Sequence, residues 1–202
     1  MSAMLLRVSL ALVLLAAAGC SKSDHKSAAA EAAANKPLIA VLQLEQGTIE
    51  FELLSGPAPK TVENFRLLAE RGYYNGLTFH RVVKGFMIQG GDPRGDGSGG
   101  ESAWGGTFED ECQPRSPLYE GGLGYKRGIV AMANRGPNTN TSQFFILHQD
   151  HPIPPNYTIF GRVTKGIEVV DQIAGLPMSP GTDGAMSKPV KPLVMQKVTV
   201  RK

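Results

Sequence analysis

The sequence of 202 residues predicts a mainly β domain, either a barrel or a sandwich, with two helices added to it. Short segments of alternating or continuous apolar residues recur along the chain, and turn residues separate them. Only two segments show helical periodicity. In addition, the 24 glycines, many of them between Gly85 and Gly128, indicate irregular loops rather than long regular elements. Many short strands with few helices are typical of barrels and sandwiches.

The strands begin with a predicted hairpin. Residues 38–45 and 48–54 alternate or run apolar, and Gln46-Gly47 provides the turn between them. The other predicted strands cover residues 78–83, 87–89, 128–133, 144–147, 158–163 and 193–200. The chain shows no internal repeat that would indicate a propeller or a solenoid.

The first predicted helix begins at Pro59 and ends at Arg71, and Gly72 fits the position just past a helix end. Its apolar face consists of Val62, Phe65, Leu68 and Ala69. A second helix is predicted over residues 166–174. The residues that set its period are Ile167, Val170, Asp171 and Ile173.

Residues 1–19 are predicted to be a signal peptide. Arg7 supplies one positive charge, and an apolar run of 11 residues follows over positions 8–18. A membrane-spanning helix needs about 20 such residues, whereas the apolar core of a signal peptide needs only about 7–15. The run is therefore long enough to direct export and too short to span a bilayer.

The signal peptide ends in Ala17-Ala18-Gly19-Cys20, which resembles the lipobox of bacterial lipoproteins. This resemblance implies that Cys20 is acylated and becomes the first residue of the mature protein in the cell envelope, bound to a membrane. Ser21, after the cysteine, favours the periplasmic face of the outer membrane in an organism with two membranes. The alternative is an ordinary secretory signal that is cleaved after Ala18.

Residues 20–36 are predicted to be a flexible tether, and residues 37–202 the folded domain. The tether is polar and rich in alanine, without an apolar face that could offset the entropy of ordering. The net charge of +3 comes from scattered basic residues, which argues against a nucleic-acid partner. The four histidines lack the spacing of metal ligands, so no metal or other cofactor is predicted. Cys112, after an acidic run, is interpreted as an unpaired structural cysteine.

Three motifs within the folded domain resemble the cyclophilin family of peptidyl-prolyl cis-trans isomerases. They are residues 79–92 (FHRVVKGFMIQGGD), 107–111 (TFEDE) and 132–146 (MANRGPNTNTSQFFI). The resemblance covers essentially all of residues 38–202. It implies an eight-stranded antiparallel β-barrel capped by two α-helices, with the active site on the outer face of the barrel.

The resemblance also implies roles for individual residues. Arg81 matches the catalytic arginine of the family. The residues that match its proline pocket are Phe86, Met87 and Phe145, and those that match its peptide-binding groove are Gln89, Ala133, Asn134 and Gln143. Ile153 takes the place of a pocket leucine, and Tyr157 stands where many relatives have histidine.

The chemistry implied by the resemblance is rotation about an X-Pro peptide bond in exported proteins. No covalent bond is made or broken, so a site that binds the twisted amide better than the planar one is sufficient. The substrates would be proline-containing polypeptides, and the protein would act as a monomer. One alternative is a module that binds proline segments as a chaperone or scaffold, with incidental turnover. Another is a purely structural envelope lipoprotein.

The glycine-rich run over residues 90–100 invites a different interpretation, as a phosphate-binding loop. It lacks the Gly-Lys-Ser/Thr ending of such loops, and no helical pattern follows it. We therefore assign it no phosphate-binding function.

Overall fold

A computed structural model describes residues 36–112, 118–119 and 124–202. The predicted signal peptide, the lipidation site Cys20 and the predicted tether as far as residue 35 lie outside the described residues. Among the residues that are described, no helix combines the length and the apolar character needed to cross a bilayer.

The described residues form ten strands and two helices. The strands are β1 Leu38–Leu44, β2 Gly47–Leu53, β3 Thr78–Val83, β4 Met87–Asp92, β5 Ile129–Met132, β6 Phe144–Leu147, β7 Ile159–Lys165, β8 Met178–Pro180, β9 Met186–Pro189 and β10 Lys197–Arg201. Helix α1 spans Pro59–Glu70, between β2 and β3, and helix α2 spans Ile167–Ala174, between β7 and β8.

Eight strands form one antiparallel sheet in the order β10-β1-β2-β7-β5-β6-β4-β3, and β8 and β9 pair separately. The two edges of the large sheet are bridged by backbone hydrogen bonds. Phe79 N donates to Leu193 O at 3.0 Å, and Met195 N donates to Leu77 O at 2.8 Å. The sheet therefore curls back on itself, which confirms the predicted eight-stranded antiparallel barrel with two helices.

The core inside the barrel follows from strict alternation along β1 and β2. Every second residue of each strand points inward and is buried. These residues are Ala40, Leu42, Leu44, Ile49, Phe51 and Leu53. The Phe65 ring of α1 lies edge-on to Phe51 and Phe144, with centroids 5.4 and 5.6 Å away. Aromatic packing of this kind joins the helix to both sides of the barrel.

Helix α1 begins at Pro59, whose fixed φ suits the first turn. The residue before the helix provides no side-chain cap. Instead, the carboxylate of Glu111 accepts hydrogen bonds from the backbone N–H of Lys60 at 3.0 Å and of Thr61 at 2.7 Å. The predicted apolar face of α1 is buried, and Gly72 follows the helix with φ of 70°. Both predictions for this helix are confirmed.

Besides the extension of β4, which runs to Asp92 rather than ending at residue 89, two features differ from the predicted elements. The hairpin of β8 and β9 was not predicted, because its prolines and glycines indicate a loop. The last strand begins at Lys197 rather than at residue 193, since residues 193–195 bond to the backbone around β3 instead. The first difference affects the site, because the hairpin turn reaches Arg81.

Candidate active site

Three of the predicted site residues lie in one row across neighbouring strands of the sheet. Arg81 on β3 pairs with Gln89 on β4, and Gln89 pairs with Phe145 on β6. Phe145 in turn pairs with Ala131 on β5. Because paired residues on adjacent strands share a face, the cation, the amide and the aromatic ring lie side by side.

The row lies on the outer face of the barrel. Successive residues of a strand point to opposite faces. On β6, Phe144 and Ile146 belong to the barrel core, while Phe145 belongs to a second, separate apolar cluster. The other predicted apolar residues of the site are members of this second cluster or pack against it: Phe86, Met87, Ala133, Ile153 and Tyr157. The fold thus brings all six together, outside the core.

The second cluster has a buried floor and partly exposed walls. Met87 and Phe145 are only 1% and 4% exposed, whereas Phe86, Ile153 and Tyr157 are half-buried. The Tyr157 ring lies edge-on to Phe145, with centroids 5.6 Å apart and planes at 84°. The ring centroid of Phe86 lies 6.4 Å from that of Phe145. This arrangement offers an apolar surface to a small ring.

A chain of amides connects the glycine-rich loop to the cation of the site. Gln143 Nε2 donates to the carbonyls of Gly97 and Gly99, at 3.0 and 2.8 Å. Carbonyl oxygens only accept hydrogen bonds, so the Gln143 amide must face them with its nitrogen. Its oxygen Oε1 therefore faces Gln89 and accepts a hydrogen bond from Gln89 Nε2 at 2.9 Å. The remaining oxygen of Gln89 then lies 3.5 Å from Arg81 Nη1. The two carbonyls therefore determine which atom donates and which accepts at each hydrogen bond of this chain of amides.

Arg81 contacts a polar side chain on the β8–β9 hairpin and an apolar side chain of the second cluster. Its Nε donates to Asp183 Oδ2 at 2.9 Å, and its Nη1 lies 4.0 Å from Met87 Sδ. The side chain is 36% exposed. The guanidinium therefore stands beside the apolar cluster with N–H donors still available to a bound molecule.

The two loops on the opposite side of the groove are tied to each other. Asn134 Nδ2 donates to the carbonyl of Asn156 at 2.7 Å, so this side chain joins the loops. The hydroxyl of Tyr125 donates to Tyr157 O at 2.8 Å and accepts from Tyr157 N at 3.1 Å. Burial raises the pKa of Tyr125, so the hydroxyl stays protonated. Tyr157 is thus fixed through its backbone.

Three contributors to the site escaped the sequence analysis. Asp183 lies on the hairpin that was not predicted, and Tyr125 lies outside the quoted motifs. The carbonyls of Gly97 and Gly99 belong to the glycine-rich run over residues 90–100, to which the sequence assigns no function. The glycine density of that run predicts an irregular loop but not that its carbonyls face the site.

Two ionisable groups near Arg81 have displaced pKa values. The hydrogen bond from Arg81, followed by one from Ser187, lowers the pKa of Asp183 to about 2. Burial lowers the pKa of His80, whose two ring nitrogens have no hydrogen-bond partner. In the described part of the chain, no group of three or more His, Cys, Asp or Glu residues is arranged to hold a metal ion.

Comparison with known proteins agrees with this geometry. The family model described as "Cyclophilin type peptidyl-prolyl cis-trans isomerase/CLD" matches residues 39–200. Human peptidyl-prolyl cis-trans isomerase-like 3 is 47% identical over 143 residues, which cover 70% of this chain and 84% of the relative. The chain therefore belongs to the cyclophilin-type peptidyl-prolyl cis-trans isomerase family.

Other similar proteins differ in length. Human peptidylprolyl isomerase domain and WD repeat-containing protein 1 is 47% identical over 164 residues, 80% of this chain, but the chain spans only 24% of that relative. A crystal structure of a Cryptosporidium parvum cyclophilin type peptidyl-prolyl cis-trans isomerase matches with a TM-score of 0.73 at 34% identity, over 83% of this chain and 99% of that one. The same protein was also crystallised in the presence of the dipeptide Ala-Pro.

Proposed function

We propose that this chain catalyses cis-trans isomerisation of X-Pro peptide bonds, with Arg81 as the catalytic residue. The observation that carries the proposal is the position of the Arg81 guanidinium, whose Nη1 lies 3.5 Å from Gln89 Oε1 and 4.0 Å from Met87 Sδ. Family membership supports the activity, and so does the Ala-Pro dipeptide used with the similar Cryptosporidium parvum protein.

Arg81 suits the slow step of the reaction. Rotation about the peptide bond is slow because amide resonance must be lost, at a barrier of about 18–20 kcal/mol. As the amide twists, the proline nitrogen becomes pyramidal and regains a lone pair. A fixed, permanently charged guanidinium donates a hydrogen bond to that lone pair, which does not exist in the planar ground state. The contact therefore stabilises the transition state selectively.

The apolar cluster and the amide chain hold the two parts of the substrate. Phe86, Met87, Phe145, Ile153 and Tyr157 bury the proline ring, at a gain of about 2 kcal/mol. Peptide groups on one side of the proline bond to the groove. Its lining residues include Gln89, Ala133, Asn134 and Gln143. The groove holds the peptide on one side of the X-Pro bond while the peptide on the other side rotates.

Two assays on wild type and Arg81→Ala test this function. Wild type is expected to accelerate both isomerisation of a proline tetrapeptide and refolding of a proline-limited protein. Loss of a preorganised donor should lower kcat by about 10²–10³-fold in the variant. If the two proteins suppress aggregation equally but neither speeds refolding, the alternative of a proline-binding scaffold is correct.

We also propose that the protein works on exported polypeptides, in the cell envelope, as a monomer held to a membrane through Cys20. The support is the sequence of the first 20 residues, with its short apolar run and lipobox-like ending. Several acyl chains on one cysteine would give stable attachment. Mass spectrometry of the mature N-terminus tests this directly. An acylated Cys20 is expected, and an unmodified N-terminus at Gly19 would contradict it.

A further inference from the structure

We propose that Asp183 is a positioning residue for Arg81, an inference that rests on the catalytic role proposed for Arg81. Asp183 lies in the turn of the β8–β9 hairpin, 102 positions further along the chain. Its Oδ2 accepts the hydrogen bond from Arg81 Nε at 2.9 Å. None of the three motifs that identify the family includes this residue.

The hairpin turn holds the carboxylate of Asp183 in place. Its other oxygen, Oδ1, accepts from the backbone N–H of Ala185 at 3.0 Å and from the hydroxyl of Ser187 at 2.9 Å. The turn is itself tied to the glycine-rich loop, because Thr182 Oγ1 donates to the carbonyl of Asp96 at 3.3 Å. With Oδ1 occupied by the turn, Oδ2 is left to face Arg81.

This contact restricts an otherwise mobile side chain. Arginine loses substantial rotamer entropy when it is ordered, and Arg81 is 36% exposed. A carboxylate at Nε fixes the plane of the guanidinium, and Gln89 Oε1 approaches Nη1 of the same plane at 3.5 Å. The Nη groups then point in a defined direction before substrate arrives, and such preorganisation lowers the barrier.

A purely structural role for Asp183 would be to close the hairpin turn. Asp183→Asn separates the two roles. The single amide oxygen of asparagine still satisfies the two turn donors, Ala185 N–H and the Ser187 hydroxyl. The amide nitrogen then faces Arg81 Nε, so that donor meets donor and the contact is lost. The variant therefore keeps the turn and releases the guanidinium.

The experiment is a double-mutant cycle of Arg81→Ala and Asp183→Asn, assayed on a proline tetrapeptide. We expect Asp183→Asn to lower kcat about fivefold and to leave KM unchanged within twofold. The orientation of the Arg81 guanidinium affects the transition state and not the binding of the planar peptide. In the Arg81→Ala background the same substitution should have no effect. The Nε–H resonance of Arg81 should also lose its protection from exchange in Asp183→Asn.

The control is Glu63→Gln. It removes a carboxylate that pairs with Arg66 Nη2 at 2.7 Å on helix α1, outside the groove, and it should leave kcat within 1.5-fold, as for an exposed pair. If Asp183→Asn lowers kcat equally in both backgrounds, or leaves it unchanged while Arg81→Ala is impaired, Asp183 does not position Arg81. If Arg81→Ala itself has normal turnover, the proposed function fails, and this inference fails with it.

Discussion

Gln143 is the central residue of the chain of amides, so its substitution should lower both the stability and the activity of the protein. Gln143→Met keeps the length of the side chain and removes its three hydrogen bonds, to Gln89 and to the carbonyls of Gly97 and Gly99. At about 1 kcal/mol each, their loss totals about 3 kcal/mol. Burial of the apolar methionine offsets part of this, so we expect the free energy of unfolding to fall by about 2 kcal/mol.

Urea unfolding and turnover measure the two consequences. With a slope of about 2 kcal/mol per molar urea, the unfolding midpoint should fall by about 1 M. The freed Gln89 amide can rotate, so its oxygen no longer faces Arg81, and kcat/KM should fall about tenfold. Gln172→Met, at an exposed position on α2, is the control and should change neither quantity. A Gln143→Met protein with an unchanged midpoint and full activity would refute the role of the chain.

Three further substitutions test the surroundings of the site. At Gly91, with φ of 86°, a Cβ would lie 2.5 Å from a backbone oxygen, whereas Gly76 has a similar φ and open space around it. Gly91→Ala should therefore lower the free energy of unfolding about 2 kcal/mol more than Gly76→Ala does, and thermal unfolding of the two variants measures this difference. Tyr125→Phe leaves the half-buried N–H of Tyr157 without an acceptor, whereas Tyr157 O keeps the hydrogen bond from the Tyr119 hydroxyl at 3.2 Å, so the variant should destabilise the fold by about 1 kcal/mol and raise KM. Burial lowers the pKa of His80 in the folded protein, so as the pH falls the unfolded chain binds a proton at His80 before the folded protein does. The free energy of unfolding should therefore decrease as the pH drops below about 6.5. His80→Gln should flatten this fall in urea midpoints between pH 7.5 and pH 5.5, and an unchanged slope would contradict it.

Local patterns in the sequence predicted the individual elements well. The apolar face of α1 follows from 3.6-residue spacing, and the β1–β2 hairpin follows from alternation around Gln46-Gly47. The β8–β9 hairpin escaped because Pro180 and Pro189 fall within its strands. Such strands depend on tertiary contacts rather than on residue propensity, and in this protein β9 lies against β3.

The site could be predicted from the resemblance and not from spacing. Phe145 and Met87 would otherwise be assigned to the core, and only the register of β4 and β6 shows that they face outward. Long-range partners are invisible to local patterns, so Asp183 was missed. Burial of Cys112 is likewise invisible to local patterns, and this burial raises the pKa of its thiol more than the acidic neighbours Asp110 and Glu111 do.

The central claim is that the Arg81 guanidinium stabilises the twisted amide and not the bound peptide. The most direct test is the rate of cis-trans exchange of an Ala-Pro peptide on the saturated protein, measured by NMR exchange spectroscopy for wild type and Arg81→Lys, together with peptide Kd. We predict that the exchange rate falls about 100-fold in the variant while Kd changes less than twofold. An unchanged exchange rate with a weakened Kd would show that Arg81 only binds the substrate.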